Sequence, residues 1–503
     1  SAWGATQFFI IPIGLFFVTL PFLRTDHKFI IWAIPLYTIT TVLTSLGIER
    51  VSSNFLFGMG GISLIVSTLF LVSCIFIQNK SSKNKTRNGL LFLVALLIIT
   101  PGIMIINSDS QFLPLPSHRY LNALNPFLTT TDPLVDSVAE HATTTLAQSF
   151  MFHSVLIIFS GIGIWLIIKN VQNKNISFIK NDMLSFSLIL GLAGVYVSST
   201  FVRLEVFGSI AVIILASLGL TALIKEFFKN KPGNKKPIGK LIKLPFVAGI
   251  IILLIIPMIY PVGADLFVLS KAPPTILNGG SAFTIATSDW LDSMEWIKNN
   301  TPKDSVVAAW WDYGYWISTM GERATLADNS TVSTRIIENI ARMLLSNPDE
   351  AWRMLQEMQA DYILVFVAGE KLNIDSPDSF YVLRGGGDES KKQWFMRIAG
   401  YDESKFLHPN GSDGTDYFNN ETLLGQMFPF SPLGYVNPNN FSEQYPTYVP
   451  GTIGVYGKDI KYPSNGDGPL RLVYASQSFV EEKIGPMIGV FIYEINKEYK
   501  PIS

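Results

Sequence analysis

Residues 61–77 read GISLIVSTLFLVSCIFI and carry no charged side chain. A helix needs roughly 17–25 such residues to cross the hydrocarbon core of a bilayer. Seven other segments share this length and composition, namely Phe8–Leu23, Phe29–Gly47, Leu90–Ile106, Met151–Ile168, Leu184–Thr200, Phe207–Ile224 and Leu244–Val262. Eight nearly charge-free segments predict a polytopic α-helical membrane domain and argue against the buried core helices of a large soluble protein.

The composition of the whole chain agrees with that prediction. Its 503 residues are 48% hydrophobic and only 15% charged, whereas soluble domains average about 25% charged residues. A disulfide scaffold and a cysteine-rich zinc module both need several cysteines. The single cysteine, Cys74, excludes both.

Charge divides the chain into two halves. Residues 1–265 carry 19 Lys and Arg against 10 Asp and Glu, while residues 266–503 carry 19 against 29. We therefore predict a transmembrane domain over residues 1–265, which includes an external loop at 107–150. A globular domain is predicted over residues 266–503.

Basic residues in the connecting loops predict the orientation. The loops after the first, third, fifth and seventh spans hold 16 of the 19 Lys and Arg in residues 1–265. Short Lys/Arg-rich loops stay in the cytoplasm, so we expect a multi-pass protein of the cell membrane whose C-terminal domain is extracytoplasmic. This sorting accounts for the basic loops, and no nucleic-acid partner is expected.

Two features fall on the predicted outer face. The loop Asn107–Phe150 is long, and loops of that length without evident structure are often functional. Arg203 lies between the sixth and seventh spans, in the segment Ser199–Glu205. An alternative interpretation of Arg203 is a snorkelling arginine that pairs with Glu205.

The second half alternates helix and strand patterns, which favours a mixed α/β domain. Helices are predicted at Asp289–Asn299, Thr334–Ser346, Asp349–Met358 and from Asp388 to about Gly400, and strands at Val306–Ala309, Ala324–Ala327, Asp361–Val367, Leu470–Ala475 and Ile488–Ile495.

The most unusual stretch is Trp310-Trp311-Asp312-Tyr313-Gly314-Tyr315-Trp316, in which five aromatic side chains surround one carboxylate. Indole N–H groups donate hydrogen bonds and a carboxylate accepts them, so the cluster could hold a hydroxyl group in an apolar notch. The alternative is a strand end with core tryptophans. Aspartic-protease and glycosidase chemistry needs two paired carboxylates, and only one is offered here.

The stretch Trp310–Gly314 resembles the WWDYG signature of the catalytic subunit of oligosaccharyltransferase, the enzyme of asparagine-linked protein glycosylation. Residues 137–144, SVAEHATT, are similar to the S-V-S-E-H motif in the family's long external loop. Asp388, Lys391 and Phe395 match part of its D-x-x-K-x-x-x-[MI] motif. The resemblance covers essentially the whole chain, is closer to archaeal and eukaryotic than to bacterial members, and implies a GT-C type membrane fold.

The resemblance also implies how the chain aligns with the family. Family members have thirteen membrane helices, and the chain corresponds to helices six to thirteen plus the C-terminal domain, about two-thirds of the protein. The first five helices come with D-x-D-type motifs that bind metal, and no D-x-D occurs in these 503 residues. We therefore expect this polypeptide alone to bind metal weakly and to need the N-terminal portion for transfer.

On the acceptor side, the resemblance implies that Trp310–Asp312 grip the hydroxyl of the Ser or Thr two residues after the acceptor asparagine. Tyr313 belongs to the same acceptor-binding motif, and Asp388 with Lys391 would buttress it. Phe395 stands where the family usually has Met or Ile against the threonine methyl group, and its bulk puts a preference for Thr over Ser in doubt.

On the donor side, the resemblance assigns Glu140 to the shell of a divalent metal, Mg²⁺ or Mn²⁺, and to the acceptor amide. Arg203 resembles the arginine of the family's V-R-L segment, which faces the lipid-linked phosphate. The implied reaction is en bloc transfer of an oligosaccharide from a dolichyl phosphate or pyrophosphate carrier to the asparagine of an N-x-S/T sequon. The implied partners are that carrier, the sequon-containing polypeptide and membrane lipid.

Two other classes of function stay open at this point. A transporter with an external sensing domain should place ionisable residues inside its spans, and only His153 lies in one. A non-catalytic glycan-binding membrane protein would keep the aromatic cluster without needing Glu140 and Arg203 on one face. Replacing Glu140 with Ala in the complete enzyme separates catalysis from binding.

Overall fold

The computed structural model of the chain describes residues 7–24, 26–48, 55–81, 83–110, 133–138, 143–172, 182–199, 202–228, 240–260, 267, 270–331, 333–372 and 379–501. Two compact units are present, Ser1–Phe267 and Val268–Ser503. The first is helical, and the second mixes helices with a sheet.

All eight apolar segments predicted from the sequence coincide with helices of the first unit. Its described α-helices are α1 (Gln7–Leu23), α2 (Ile30–Leu46), α3 (Met59–Lys80), α4 (Lys85–Ser110), α5 (Pro133–Asp136), α6 (Leu146–His153), α7 (Leu156–Gln172), α8 (Asp182–Ser198), α9 (Glu205–Phe228) and α10 (Lys240–Ile255). Short 3-10 turns at Val202–Leu204 and Ile256–Met258 precede α9 and follow α10.

Two of these helices, α3 and α9, are by length and composition long and apolar enough to cross a membrane. Five other described helices are apolar but have at most 17 residues in the described part: Phe9–Leu23, Ile30–Leu46, Leu156–Trp165, Ser185–Ser198 and Lys243–Ile255. The first unit is therefore helical and apolar, and its eight membrane spans stay a prediction.

Two predicted segments differ in detail, the eighth because α10 ends at Ile255 and a 3-10 turn follows, and the fifth because it is broken. It begins inside α6 and continues into α7, because the backbone breaks at Ser154, whose φ is +48°. A non-glycine residue with positive φ is strained. The break ends α6 after eight residues at His153.

Close helix packing in this unit depends on small residues. A Cβ atom at Gly163 of α7 would collide with the carbonyl oxygen of Leu215 in α9, and one at Gly219 would collide with that of Phe159. Small residues at such a crossing let two membrane helices approach closely. Phe159 and Ala216 are buried beside this crossing.

Polar contacts between helix ends fall into two groups. Arg24, after α1, donates from Nε to a carboxylate oxygen of Asp182 at the start of α8 (2.6 Å). At the other end of α8, the hydroxyl of Thr144 donates to the carbonyl oxygen of Ser198 (2.7 Å). The two ends of α8 thus contact the loops predicted on opposite sides of the membrane.

We predict that Gly163→Ala lowers the free energy of unfolding by about 1–3 kcal/mol, since overpacking a close contact costs that much. Gly161→Ala is the matched control, because a Cβ at Gly161 on the same helix meets nothing within 4 Å. Thermal unfolding in detergent measures both variants. Equal melting temperatures for the two variants would contradict the close approach of α7 and α9 at Gly163.

The second unit is built around one nine-stranded mixed sheet. Its α-helices are α11 (Thr275–Asn278), α12 (Asp289–Asn300), α13 (Gly314–Thr319), α14 (Thr334–Leu345), α15 (Pro348–Glu357), α16 (Lys392–Ala399), α17 (Asp416–Glu421), α18 (Leu423–Met427) and α19 (Gln477–Val480). Its strands are β1 (Val306–Ala308), β2 (Ala324–Thr325), β3 (Tyr362–Leu372), β4 (Phe380–Leu383), β5 (Phe430–Asn437), β6 (Asn440–Tyr445), β7 (Ile453–Lys458), β8 (Leu470–Ala475) and β9 (Gly485–Ile495).

Strand β3 is the centre of the sheet. One of its edges pairs antiparallel with β9 from Tyr362 to Lys371. The other edge pairs parallel with β1 at Tyr362 and Ile363, and then antiparallel with β4 from Gly369 onward. Between those two partners a gap remains at residues 364–368, and the candidate site is built in that gap.

The mixed α/β prediction for the second half agrees with these elements. The two predicted helices after residue 330 agree with α14 and α15 within one residue at each end. Their starts are fixed by Ser333 and Asn347, which cap the first turns. The helix predicted from Asp388 starts later, at Lys392. Strands β4 to β7 lay in a stretch where the sequence predicted no individual strands.

Candidate functional site

The aromatic cluster forms a tight turn directly after β1. Trp311–Tyr313 is a 3-10 turn that leads straight into α13. Gly314 is required there, because a Cβ would collide with the carbonyl oxygen of Ala327. Asn329 fixes the same turn, since its side-chain amide donates to the carbonyl oxygen of Asp312 (2.9 Å) and accepts from the amide of Tyr315 (3.2 Å).

Two buried carboxylates close the gap in the edge of β3. Asp388 accepts from the amide of Phe366 (2.8 Å), and its own amide donates to the carbonyl oxygen of Phe366 (2.7 Å). Glu389 accepts from the amide of Ala368 (3.3 Å). Buried backbone amides need partners, so these side chains act where a neighbouring strand would otherwise pair.

The turn and the sheet are joined through Tyr313. Its hydroxyl donates to the second carboxylate oxygen of Asp388 (2.7 Å) and accepts from the ammonium of Lys391 (3.1 Å). Lys391 also donates to Asp312 (2.6 Å), forming an ion pair whose two side chains are 23% and 29% exposed. A continuous hydrogen-bonded path therefore runs from Phe366 in the sheet to the carboxylate of Asp312 at the surface.

Burial governs the charges along this path. Burial raises the pKa of Asp388 to about 6, although Lys391 and the amide of Phe366 oppose that rise. Burial and the neighbouring carboxylates raise the pKa of Tyr313, which keeps its hydroxyl a donor. Burial alone would lower the pKa of Lys391, but Asp312 and Asp388 outweigh it, so the net pKa is raised and the lysine stays charged.

The two tryptophans form the apolar part of the site. Trp310 and Trp311 are 3% and 8% exposed, with ring centroids 6.2 Å apart. The indole Nε1 of Trp311 is buried and has no hydrogen-bond partner among the described residues. A buried donor without a partner costs free energy, and a ligand with an acceptor oxygen would satisfy it.

Phe395 lies behind Trp310. Its ring is fully buried and meets the Trp310 ring edge-on at a centroid distance of 4.4 Å. In this structure Phe395 therefore supports Trp310. The contact with a threonine methyl group that the resemblance implies stays a prediction, because it requires ring surface that is not exposed here.

The two donor-side residues are described less fully. Glu140 lies outside the residues that the structure describes. The backbone of Arg203 belongs to the 3-10 turn Val202–Leu204, and its side chain lies outside the described part. Glu205, the alternative partner of Arg203, accepts hydrogen bonds from His153 (2.6 Å) and Ser149 (3.1 Å).

No group of three or more His, Cys, Asp or Glu side chains in the described ranges is arranged to hold a metal ion. Because Glu140 is outside those ranges, the assignment of Mg²⁺ or Mn²⁺ to it depends on the resemblance alone.

Three residues of this site were not predicted from the sequence, namely Asn329, Glu389 and Lys392. Glu389 and Lys392 are buried, with exposed fractions of 2% and 6%. In the sequence they belong to a run of charged residues after three glycines, which is typical of a solvated surface. Burial raises the pKa of Glu389 to about 7, and burial lowers the pKa of Lys392 to about 8.

We predict that Glu389→Gln flattens the dependence of stability on pH between about pH 4.5 and pH 7. The folded chain holds the Glu389 proton to a higher pH than the unfolded chain does, so stability falls as pH rises through this window. Melting temperatures of the whole protein at several pH values test this. Glu357→Gln, at an exposed position of α15, is the control, and parallel profiles for Glu389→Gln and the unaltered protein would refute the prediction.

Comparison with known proteins adds independent findings. A family model described as the STT3/PglB/AglB core domain matches residues 303–371, which include the aromatic cluster and all but the last residue of β3. The STT3 subunit of dolichyl-diphosphooligosaccharide–protein glycosyltransferase from Dictyostelium discoideum is 26% identical over 80% of this chain and 55% of its own length. The STT3B subunit from Oryza sativa subsp. japonica is 25% identical over 80% of this chain and 57% of its own. The chain thus spans a little over half the length of these relatives.

Solved structures share the fold. The oligosaccharyltransferase AglB from Archaeoglobus fulgidus, in complex with an inhibitory peptide and a dolichol-phosphate, superposes with a TM-score of 0.58 at 13% identity, over 98% of this chain and 65% of its own. The same archaeal enzyme tethered to an acceptor peptide with the NVT sequon gives a TM-score of 0.56 at 14% identity, over 98% and 64%.

The core-domain match and the curated relatives confirm the resemblance: the chain is similar in sequence to the STT3 subunits of oligosaccharyltransferase, and it shares the fold of the AglB structures.

Proposed function

We propose that the protein takes part in asparagine-linked glycosylation, as the subunit that transfers an oligosaccharide from a dolichyl phosphate or pyrophosphate carrier to the asparagine of an N-x-S/T sequon. The observation that supports this most directly is the unpartnered Nε1 of Trp311, next in sequence to the Asp312 carboxylate that Lys391 holds. An unpartnered donor and a carboxylate acceptor on two adjacent residues of the chain match a hydroxyl group, which can accept one hydrogen bond and donate another.

On the acceptor side, Asp312 would accept the hydrogen of the sequon hydroxyl and Trp311 would donate to its oxygen. Lys391 holds the Asp312 carboxylate through their ion pair, and Tyr313 and Asp388 keep Lys391 in place. A site built to bind a hydroxyl rejects a residue that lacks one, because its polar groups are then left unpaired. This explains why such a notch would select Ser or Thr over Ala.

On the donor side, Arg203 would bind the phosphate of the carrier, since guanidinium groups bind phosphate with two parallel hydrogen bonds. Glu140 would hold the acceptor amide and a divalent metal, Mg²⁺ or Mn²⁺, which would neutralise charge on the departing phosphate. An amide nitrogen is a poor nucleophile, so the reaction needs this leaving-group stabilisation and close positioning of both substrates. An AglB structure with bound dolichol-phosphate supports a lipid-linked donor.

The proposed arrangement is a multi-pass protein of the cell membrane with eight spans in residues 1–265, corresponding to family helices six to thirteen. The external loop 107–150 and the domain 266–503 would lie outside the cytoplasm. The lipid bilayer is then a partner of the first unit, whose helices expose large apolar side chains such as Trp32, Phe76 and Trp165.

We predict that Asp312→Ala and Trp311→Phe each lower kcat/KM for an Asn-Ala-Thr peptide by about 10- to 100-fold, because each removes one partner of the hydroxyl. The measurement is transfer in detergent, using the protein purified with any natural sequence that adjoins this chain. Trp352→Phe is the control, since its indole Nε1 donates to the carbonyl oxygen of Asn496, outside the notch. Unchanged discrimination between Asn-Ala-Thr and Asn-Ala-Ala in both variants would contradict the proposal.

A further inference from the structure

A buried polar cluster lies in the first unit, where α6, α8 and α9 begin or end. Glu205, the first residue of α9, accepts a hydrogen bond from Nε2 of His153 at 2.6 Å. Both side chains are 6% exposed. Ser149 donates to the same carboxylate oxygen at 3.1 Å.

Stability alone is a poor explanation for this cluster. Burying a carboxylate is costly, and replacing a buried pair by apolar residues is often neutral or stabilising. Ionisable residues buried in membrane-spanning helices are rare and by default mark function. The proposed roles of Trp310–Asp312 and Glu140 leave His153 and Glu205 unexplained.

The cluster joins the segment 144–153 to the residues on either side of Arg203. Thr144 donates to the carbonyl oxygen of Ser198, the last residue of α8, and its hydroxyl lies 3.5 Å from Glu205. Residues 199–204, which include Arg203, separate those two contacts in the sequence. The segment 144–153 therefore contacts the chain on both sides of Arg203, at Ser198 and at Glu205.

The backbone of the segment 144–153 is fixed at both ends of α6. Thr145 and Gln148 form a reciprocal capping box at the start of α6, and the positive φ of Ser154 ends the helix directly after His153. Ser149 and His153 are four residues apart, so they share one face of α6. That face is the one that meets Glu205.

We propose that Glu205, held by His153 and Ser149, is a positioning residue that fixes the backbone turn of Arg203 for binding the donor phosphate. This inference rests on the proposed function, because it uses the role given there to Arg203. It assigns Glu205 no contact with substrate. Replacing Glu205 should therefore weaken binding of the lipid-linked donor. It should leave binding of the acceptor peptide unchanged, because the proposed hydroxyl site is in the second unit.

A contact between α7 and α9 offers a matched control. Helix α7 follows His153 in the chain, and helix α9 begins at Glu205. Ser160, seven residues beyond His153, donates to the carbonyl oxygen of Val212, seven residues beyond Glu205, at 2.9 Å. This buried contact links the two helices without reaching the Arg203 turn. Ser160→Ala therefore removes an interhelical hydrogen bond without touching the proposed positioning cluster.

The experiment compares Glu205→Ala, Glu205→Gln, His153→Ala and Ser160→Ala in the purified protein with any adjoining natural sequence. We expect Glu205→Ala and His153→Ala to raise KM for the dolichyl-linked donor at least tenfold, with KM for the Asn-Ala-Thr peptide unchanged within twofold. Glu205→Gln, whose amide oxygen can still accept from His153 and Ser149, should recover most of the loss. Ser160→Ala should leave both KM values unchanged.

Equal kinetics for Glu205→Ala and Ser160→Ala, or a rise in peptide KM as large as that of the donor, would overturn the inference. If the unaltered protein transfers no glycan, the proposed function fails, and the affinity for dolichyl phosphate then decides the inference separately. A tenfold or larger rise in Kd for Glu205→Ala, with no rise for Ser160→Ala, would support it. An unchanged Kd for Glu205→Ala would reject it.

Discussion

The carboxylate of Asp388 holds the candidate site together. One of its oxygens accepts the amide of Phe366 in the central strand, and the other accepts the hydroxyl of Tyr313 in the aromatic turn. Without this carboxylate, a buried backbone amide and the hydrogen of a buried hydroxyl would both lose their acceptor. The position of Asp312 relative to the sheet therefore depends on a single buried acid.

Asp388 is one of two adjacent acids that have the same structural role. Asp388 and Glu389 are both buried carboxylates that bind amides of β3, and each is followed three residues later by a lysine, Lys391 or Lys392. The lysines lower the cost of burying two adjacent acids. They differ in what they reach, because Lys391 extends to Asp312 at the surface while Lys392 stays buried over the ring of Phe418.

The site leaves one polar group without a partner. Among the described residues, four buried side-chain atoms lack a hydrogen-bond partner, and the Nε1 of Trp311 is one of them. Such groups are few in native proteins and call for an explanation. Trp311 differs from the other three because the next residue in the chain, Asp312, is a carboxylate held by a lysine, and the proposed binding of a hydroxyl group would account for its free Nε1.

Features of the fold and of the site that depend on neighbouring residues in the chain could be predicted from the sequence. Apolar segments predicted the helices of the first unit, and alternating patterns predicted α12, α14, α15 and β3. The motif around Asp312 identified the site because its residues are adjacent in the chain. The contacts that organise the site are not local: Lys391 reaches Asp312 across 79 positions, and His153 reaches Glu205 across 52.

Other features could not be predicted because the sequence suggests a different environment. Glu389 and Lys392 have the pattern of solvated charges, yet a gap in the edge of β3 buries them. The break at Ser154 interrupts an apolar segment that contains no Gly or Pro at that position, so composition favours one continuous helix. In both places tertiary contacts outweigh the local preference.

The most direct test of the account is an experimental structure of the protein with an Asn-Ala-Thr peptide bound. The account predicts that the threonine hydroxyl lies within hydrogen-bonding distance of both the Asp312 carboxylate and the Nε1 of Trp311, with Lys391 still bound to Asp312. A bound peptide whose hydroxyl lies elsewhere, with the Trp311 indole still unpartnered, would contradict it.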